Sequence, residues 1–322
     1  MAALIAAAAL AIALAAPGAR PASLPATPST EAMSLLGQPL SAPPLPDSTR
    51  LLYERRLAEA QNEFDHDPKE ISNIIWLGRR TAYLGRLRDA IAIYSRGIEQ
   101  YPTEPRLRRH RGHLYIRQRL FDLAISDLER AARLTAKSMD ESEPDGLPNA
   151  RNIPTSTLKF NIWYHLGLAH YFKGDFVTAR TAYLQCLRFS TNPDMRCATS
   201  HWYYMTLRRL GRAGEARRLL KPIRRTMDVI ENRSYLRLLL MYRGELSVDS
   251  LLATGSEAQA TIDDATIGYG VANWHFYNGR TVEAERLFQR VIAGPQWPAF
   301  GHIAAEAELA RMARAKPPAE HP

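Results

Sequence analysis

Beyond an apolar run confined to residues 2–16, no stretch of this chain alternates apolar and polar positions, as a half-buried strand would, for more than a few residues. The apolar residues come instead in helical segments that break at glycine and resume with alanine. Leu77 and Gly78 are followed by Gly85, Ala90, Tyr94 and Pro102, and 34 residues beyond Gly78 and Ala90 stand Gly112 and Ala124, followed by Leu128. Trp163, Leu166, Gly167 and His170 lead to Gly174, Ala179 and Tyr183. Leu210 and Gly211 precede Ala216 and Leu220; Asn278 and Gly279 precede Ala284 and Phe288. Residues 230–245 read as a further first helix ending at Gly244, although Asp249 stands where the next alanine is expected. Glycines 174, 211, 244 and 279 therefore mark helix-to-helix turns about one period apart.

The residue types follow from packing. Gly78, Gly112 and Gly167 let two helices cross at short distance, and alanine at 90, 124, 179, 216 and 284 lets the second helix approach in return. A larger side chain there would overpack, costing roughly 1–3 kcal/mol. Tyr94, Leu128, Tyr183, Leu220 and Phe288 are expected to fill the seam to the next repeat. Gly85, Gly174, Gly211 and Gly279 supply the positive φ of a tight turn. These units predict an all-α chain, a right-handed α-solenoid of stacked antiparallel helix pairs over 48–314. A helix at 48–64 caps its start, and one at 300–314 closes it with a polar side formed by Glu306, Glu308, Arg311 and Arg314. Residues 138–157, with three prolines and an acidic cluster, form a loop insertion between the second and third pairs.

The W-x2-L-G-x2-Y pattern, met at Trp163, Leu166 and Gly167 with His170 in place of tyrosine, resembles the tetratricopeptide repeat. The resemblance covers about 48–314. The segments CATSHWYYMTLRRLGR, MDVIENRSYLRLLLMYRGE and ATIGYGVANWHFYNGR are similar to those of an exported bacterial group within that family. It implies a stack whose product is a binding surface, with extended peptides held on the concave face of the first helices. Members that grip chaperone C-termini use lysine and asparagine at positions where this chain has arginine and histidine, so that ligand does not carry over.

The N-terminus carries a separate expectation. Residues 2–16 are apolar and uncharged, small residues follow at 16–19, and the run is too short to span a bilayer comfortably, so 1–19 reads as a signal peptide. No basic residue precedes the run, and no cysteine follows it as in a lipoprotein. Residues 20–47, rich in Pro, Ala and Ser, are expected to be an extended, poorly ordered linker, and 315–322 a flexible tail. An exported, periplasmic protein is the expectation.

Charge adds the candidate chemistry. The formal net charge is +9, and arginine carries most of it, crowding 106–119 and 208–225. Arg109, His113 and Arg117 stand four residues apart on one stripe, and Arg106 and His110 make the adjoining one. The same register reaches Arg79 and Tyr83 before it and Tyr164, His165 and Tyr171 after it. In a tetratricopeptide stack this side of the first helix faces the groove. Arginine can hold a carboxylate through two parallel hydrogen bonds, so an acidic or C-terminal segment suits it. The alternative is a solvated basic face.

Other chemistry finds less support. No phosphate-cradling glycine loop, HExxH or G-x-S-x-G elbow is present, and the reading is non-enzymatic, without a cofactor. The histidines of the stripe lack a carboxylate or cysteine at ligand spacing. Charge alone favours nucleic acid, while the export signal and the absence of a recognised module count against it. Cys186 and Cys197 could meet across a short loop as a disulfide, or each could be a small core residue. The function read from the sequence is a scaffold or adaptor that captures a protein or peptide in the bacterial envelope. The alternatives are an electrostatic binder of anionic lipid or cell-wall polymer, and a metal-binding or catalytic protein using the histidines.

Overall fold

A computed structural model of the chain describes residues 29–253 and 262–315. The expected signal peptide at 1–19, the linker residues 20–28 and, apart from Ala315 at the end of α14, the tail expected at 315–322 lie outside the described residues. In chain order the elements begin with β1 (Thr30–Met33), β2 (Pro39–Ser41), α1 (Asp47–His66), α2 (Ile71–Tyr83), α3 (Leu87–Gln100), α4 (Pro105–Arg117) and α5 (Phe121–Leu134). After β3 (Ser142–Glu143) and β4 (Ser156–Thr157) come α6 (Leu158–Lys173), α7 (Phe176–Phe189), α8 (Pro193–Arg209) and α9 (Ala213–Leu219). The chain ends with α10 (Arg233–Tyr242), α11 (Val248–Leu252), α12 (Ile262–Tyr277), α13 (Thr281–Ile292) and α14 (Phe300–Ala315). Each helix from α1 to α9 packs on the next, as do α10 to α14, so the helices form a stack of pairs between the end helices α1 and α14. Among the described residues no helix is long and apolar enough to cross a membrane.

The small residues do what their pattern predicts. Ala90, Ala124, Ala179, Ala216 and Ala284 are fully buried. A Cβ on Gly78 would lie 2.4 Å from the Tyr94 ring, and one on Gly167 would lie 2.5 Å from the Tyr183 ring. These aromatics thus fill the interior of their own helix pair first; Tyr94 then reaches the next pair by stacking on His110, 5.6 Å between ring centres. The turns after α2, α6, α8, α10 and α12 each hold a positive-φ glycine, at 85, 174, 211, 244 and 279. The turn after α4 does not. One period beyond Gly85 the left-handed residue is Arg119, φ 65°, a conformation that costs an L-residue about 1–2 kcal/mol.

Two segments depart from the sequence expectation. Within the linker expected to be poorly ordered, residues 29–46, β1 and β2 form an antiparallel hairpin laid on the stack. Ala32 is buried, the Glu31 carboxylate accepts from the Arg88 backbone N–H at 3.0 Å, and Gln118 donates to the Glu31 carbonyl at 2.9 Å. The Trp297 indole donates to the Ser41 carbonyl at 2.7 Å, tying this hairpin to the chain's far end. Composition does not reveal such order, because the partners lie on distant elements.

The second departure is α14. Its expected polar side is not solvated: Glu306 and Glu308 are each only 1% exposed. The helix packs on α12 and α13 and also touches α6, so it closes across the inside of the stack. Glu306 meets Arg119, and Glu308 meets Arg209 at 2.5 Å and Arg311 at 2.7 Å. Gly301 makes the closure possible, since a Cβ there would lie 2.2 Å from the Ala265 carbonyl oxygen, a backbone atom that cannot turn aside. Gly301→Ala is expected to cost roughly 1–3 kcal/mol by forcing α14 off α12. Chemical unfolding checks this, and an unchanged midpoint would count against the close crossing.

The cysteines are not bridged. Both are buried free thiols, and the Cys186 Sγ lies 3.1 Å from the Thr199 hydroxyl and 3.7 Å from the Phe160 carbonyl. Burial pushes both thiols up to about 12, as suits core residues rather than reactive ones.

Candidate functional site

The register that aligned the stripe holds in space. Arg79 and Tyr83 on α2, Arg106 to Arg117 on α4, and Tyr164 and His165 on α6 come together on the first-helix side of the stack. The groove they line is not open, because two segments of the same chain cover it.

The insertion covers the first two pairs. β3 and β4 pair antiparallel at its base, and the Asp140 carboxylate anchors it by accepting from Thr157 and from the Lys159 backbone. From there the segment runs over α2 and α4, bending at Gly146 and Leu147. Arg79 donates to the Pro144 carbonyl and Arg80 to the Gly146 carbonyl, each at 2.8 Å. The Glu143 carboxylate, 9% exposed, lies 3.0 Å from an Arg109 Nη2 and 3.4 Å from His110 Nε2, and its other oxygen accepts from Asn161 at 2.8 Å. The oxygen facing Arg109 is buried yet accepts no aligned hydrogen bond. Trp76 supports the two gripping arginines from below, its ring 4.5 Å from Arg79 and 4.6 Å from Arg80. A cavity of about 100 Å³ remains between Trp76, Arg79, Arg106, His110 and the strap residues 141–144. Arg106 itself is held by Glu104, with contacts of 2.7 and 2.9 Å.

The closing helix covers the next part. The Phe300 ring stands 5.7 Å from both His113 and His165 and 6.3 Å from Tyr164. His113 and His165 are 4.6 Å apart. Burial, and then their cationic or histidine neighbours, push His110 and His113 well below the ordinary imidazole range; His165 is held down to about 3 by burial and then by Arg109. These are neutral rings packed in an interior. The Tyr164 hydroxyl lies 3.2 Å from that of Tyr235. Tyr171 is fully buried, bonded to the Tyr269 hydroxyl at 2.7 Å and to Asn273 at 3.0 Å, and it belongs to the core rather than to the groove.

So the structure corrects the accessibility of the groove residues. Arg109, His110, Tyr164, His165 and Tyr171 are buried by the chain itself. Arg117 differs. No ion pair or hydrogen bond to a described residue engages its guanidinium, and burial together with the neighbouring Arg119 charge pushes it down to about 10. Desolvating a charge without a partner is unfavourable, so this side chain is a cation of the inner face left unpaired among the described residues. The sequence reading missed Arg80, Trp76, Asn161 and Glu143. Only Glu143, an acid inside an insertion flanked by basic stripes, carried a signal that could have found it.

Among the described residues no three His, Cys, Asp or Glu side chains come together as metal ligands. A second concavity of about 960 Å³ lies between α1 and α3, but ion pairs of Arg50 with Glu54 and Arg86 with Asp89 already balance charges on its walls.

The pair α6 and α7, from Gly167 on Tyr183 to the left-handed Gly174, is the segment that decides the family: residues 160–193 match the family model for the tetratricopeptide repeat. Residues 160–193 are thus similar to one tetratricopeptide repeat. No curated protein matches this repeat protein. Among solved structures it is similar to YrrB, a TPR protein with an unusual peptide-binding site, at 13% identity over 80% of this chain and 98% of that one, TM-score 0.41. It is also similar to a tetratricopeptide repeat protein from Parabacteroides merdae, at 12% identity over 80% and 92% of the two chains, TM-score 0.47. A third similarity is to BtubC (BKLC) from P. vanneervenii, at 16% identity over 86% and 95%, TM-score 0.42.

Proposed function

We propose that this tetratricopeptide protein is a non-catalytic scaffold of the bacterial envelope that holds an extended acidic segment of a partner on the inner face of its first helices. One observation carries the reading: Arg79, Arg80 and Arg109 already hold an extended acidic segment, gripping two main-chain carbonyls and a carboxylate. Guanidinium groups facing alternate carbonyls and an acid are a peptide-binding arrangement, since the carbonyl contacts supply affinity and the carboxylate supplies selection. Arg117, two turns further along α4, adds a cation with no ion pair or hydrogen bond to a described residue. The envelope location rests on the apolar run at 2–16 and small residues at 16–19.

Arg117 provides the test, because its replacement breaks no ion pair or hydrogen bond between its side chain and a described residue. Short fluorescent peptides of graded net charge are titrated against the full chain and against Arg117→Glu. Acidic peptides are expected to bind the native chain, with affinity about tenfold lower for the variant, equivalent to about 1.4 kcal/mol. Equal affinity for both chains, or no preference for acidic peptides, would remove the proposal.

A specific feature favours a second reading. Arg217, Arg218, Lys221, Arg224 and Arg225 are exposed together at the end of α9 and just beyond it, a patch that suits anionic lipid or polymer. Vesicles containing anionic lipid would then bind the chain in low salt and release it steeply as salt rises, independently of Arg117.

A further inference from the structure

We propose, building on the peptide-binding reading above, that residues 141–149 are an internal ligand of this face. A partner displaces them with an extended segment of the same form, a carboxylate followed three residues later by glycine.

The pattern is written in the contacts. Glu143 places its carboxylate among Arg109, His110 and Asn161. The carbonyls of Pro144 and Gly146, two residues apart, both accept from arginines of α2, and the chain bends at Gly146 and Leu147. Gly146 is buried against Tyr83, where a Cβ would fall 1.3 Å from the hydroxyl oxygen and 2.7 Å from Arg79. A side chain there would have to push the Tyr83 hydroxyl and the Arg79 guanidinium aside, so the face as built favours glycine at that position.

The attachment is also of a kind that can be exchanged. Few apolar groups hold the strap: Leu147 is 42% exposed and Ile153 51%. Its far end is tied by Arg151 to Asp228, both contacts 2.7 Å, and by Thr155 to Glu231. The Arg151 pair is largely exposed, and water and salt screen such pairs. The acid that anchors the strap leaves one buried oxygen without an aligned donor. Asp145 is pushed up by burial and then by the nearby Glu231. Besides these polar contacts the segment has the advantage of its tether, which presents it to the face at an effective concentration of about millimolar. A free segment with the same contacts has only that concentration to overcome.

The probe is a fluorescent peptide with the sequence of residues 140–150, and a second probe carries glutamine at the Glu143 position. The full chain is compared with a strap-opened chain bearing Glu143→Gln and Gly146→Val, both full length. The opened chain is expected to bind the first probe at least about tenfold more tightly than the native chain does. The glutamine probe should bind the opened chain at least about tenfold more weakly than the first. An opened chain that keeps its helical signal and melting temperature but binds no probe would overturn the proposal. So would equal binding by native and opened chains.

Should the opened chain fail to fold, hydrogen exchange on the native chain decides. Saturating probe should speed exchange of the amides at 141–149, and unchanged exchange in that stretch would overturn displacement. The graded peptides tested on Arg117 keep the two proposals separate. If acidic peptides bind in an Arg117-dependent way while the strap neither yields nor competes, the scaffold stands and the internal ligand falls. If neither peptides nor probe bind, both fall.

Discussion

Replacing Arg119 by alanine is expected to lower the unfolding free energy by about 3–5 kcal/mol, the cost of leaving a buried charge without its partner. The Arg119 and Glu306 side chains are 2% and 1% exposed, joined at 2.5 and 3.0 Å. Arg119 further donates to the Trp297 carbonyl at 3.0 Å, and Glu306 accepts from the Leu35 backbone N–H at 3.2 Å. One ion pair thus joins the turn inside the second helix pair, the N-terminal hairpin and the closing helix. Glu306→Ala should cost a similar amount, and the double variant should cost less than the sum, because the second loss removes a charge already stranded. Arg119→Gly is an informative companion. It loses the same pair but relieves the left-handed backbone, so it should retain roughly 1 kcal/mol more stability than Arg119→Ala. Chemical unfolding of the four chains gives the cycle, and additive losses would refute the coupling. Hydrogen exchange should show β1, β2 and α14 losing protection first.

Stability is expected to fall as pH drops below about 6.5, well before the carboxylates titrate. His165 and His201 are both buried and held down to about 3. For His165 the cause is burial and then the Arg109 charge, partly opposed by the Asn161 carbonyl that accepts from Nδ1 at 2.6 Å. For His201 it is burial alone: the ring stacks on Tyr235 at 4.8 Å and Tyr242 at 5.9 Å, and its Nε2 has no partner. Unfolded, each imidazole returns to its ordinary value near 6.5. Between 6.5 and 3 the unfolded chain therefore binds protons that the folded chain refuses, and lowering pH favours unfolding. The slope is about 1.4 kcal/mol per pH unit for each group, or about 2 kcal/mol each by pH 5 as an upper figure. His110 and His113 shift the same way and add to it.

Glu306 deepens the loss at lower pH. Burial pushes its carboxyl up, but hydrogen bonds from His302 and Arg119 outweigh this and hold it below the usual range. Its stabilisation is present above the unfolded value of 4.5 and is lost as pH falls further. Unfolding midpoints from neutral pH to pH 5 measure the slope, and His201→Phe should flatten it by one proton's worth. Midpoints that stay level across that interval would show that water reaches these rings.

Most of the architecture was legible in the sequence, because the repeat writes its packing in residue size. Alanine and glycine mark where helices touch, and five of the six turns expected from the period carry the positive-φ glycine. The sixth shows the limit of the pattern. Arg119 stands where the ruler calls for glycine, and only its bond to Glu306, 187 residues away, explains why an arginine is kept there.

The candidate site divides the same way. Register placed Arg79, Arg109, His113, Arg117 and His165 on one side of the first helices, since helical periodicity alone fixes which residues share a face. Periodicity is blind to what covers that face. The acidic insertion and the apolar start of α14 look in sequence like a spacer and an end cap. The insertion reaches the groove by folding back from between α5 and α6 over α2 and α4, and α14 reaches it by packing across to α6.

The sequence by itself determined the helix pairs, their period and the basic character of the inner face, all of which are local consequences of residue size, backbone freedom and charge. Tertiary structure alone decided that Glu143 and Phe300 fill that face, that the N-terminal hairpin is fastened to α14, and that Arg117 is left without a described partner. Each of these depends on contacts between segments far apart in the chain, whose geometry is fixed only when the stack has closed.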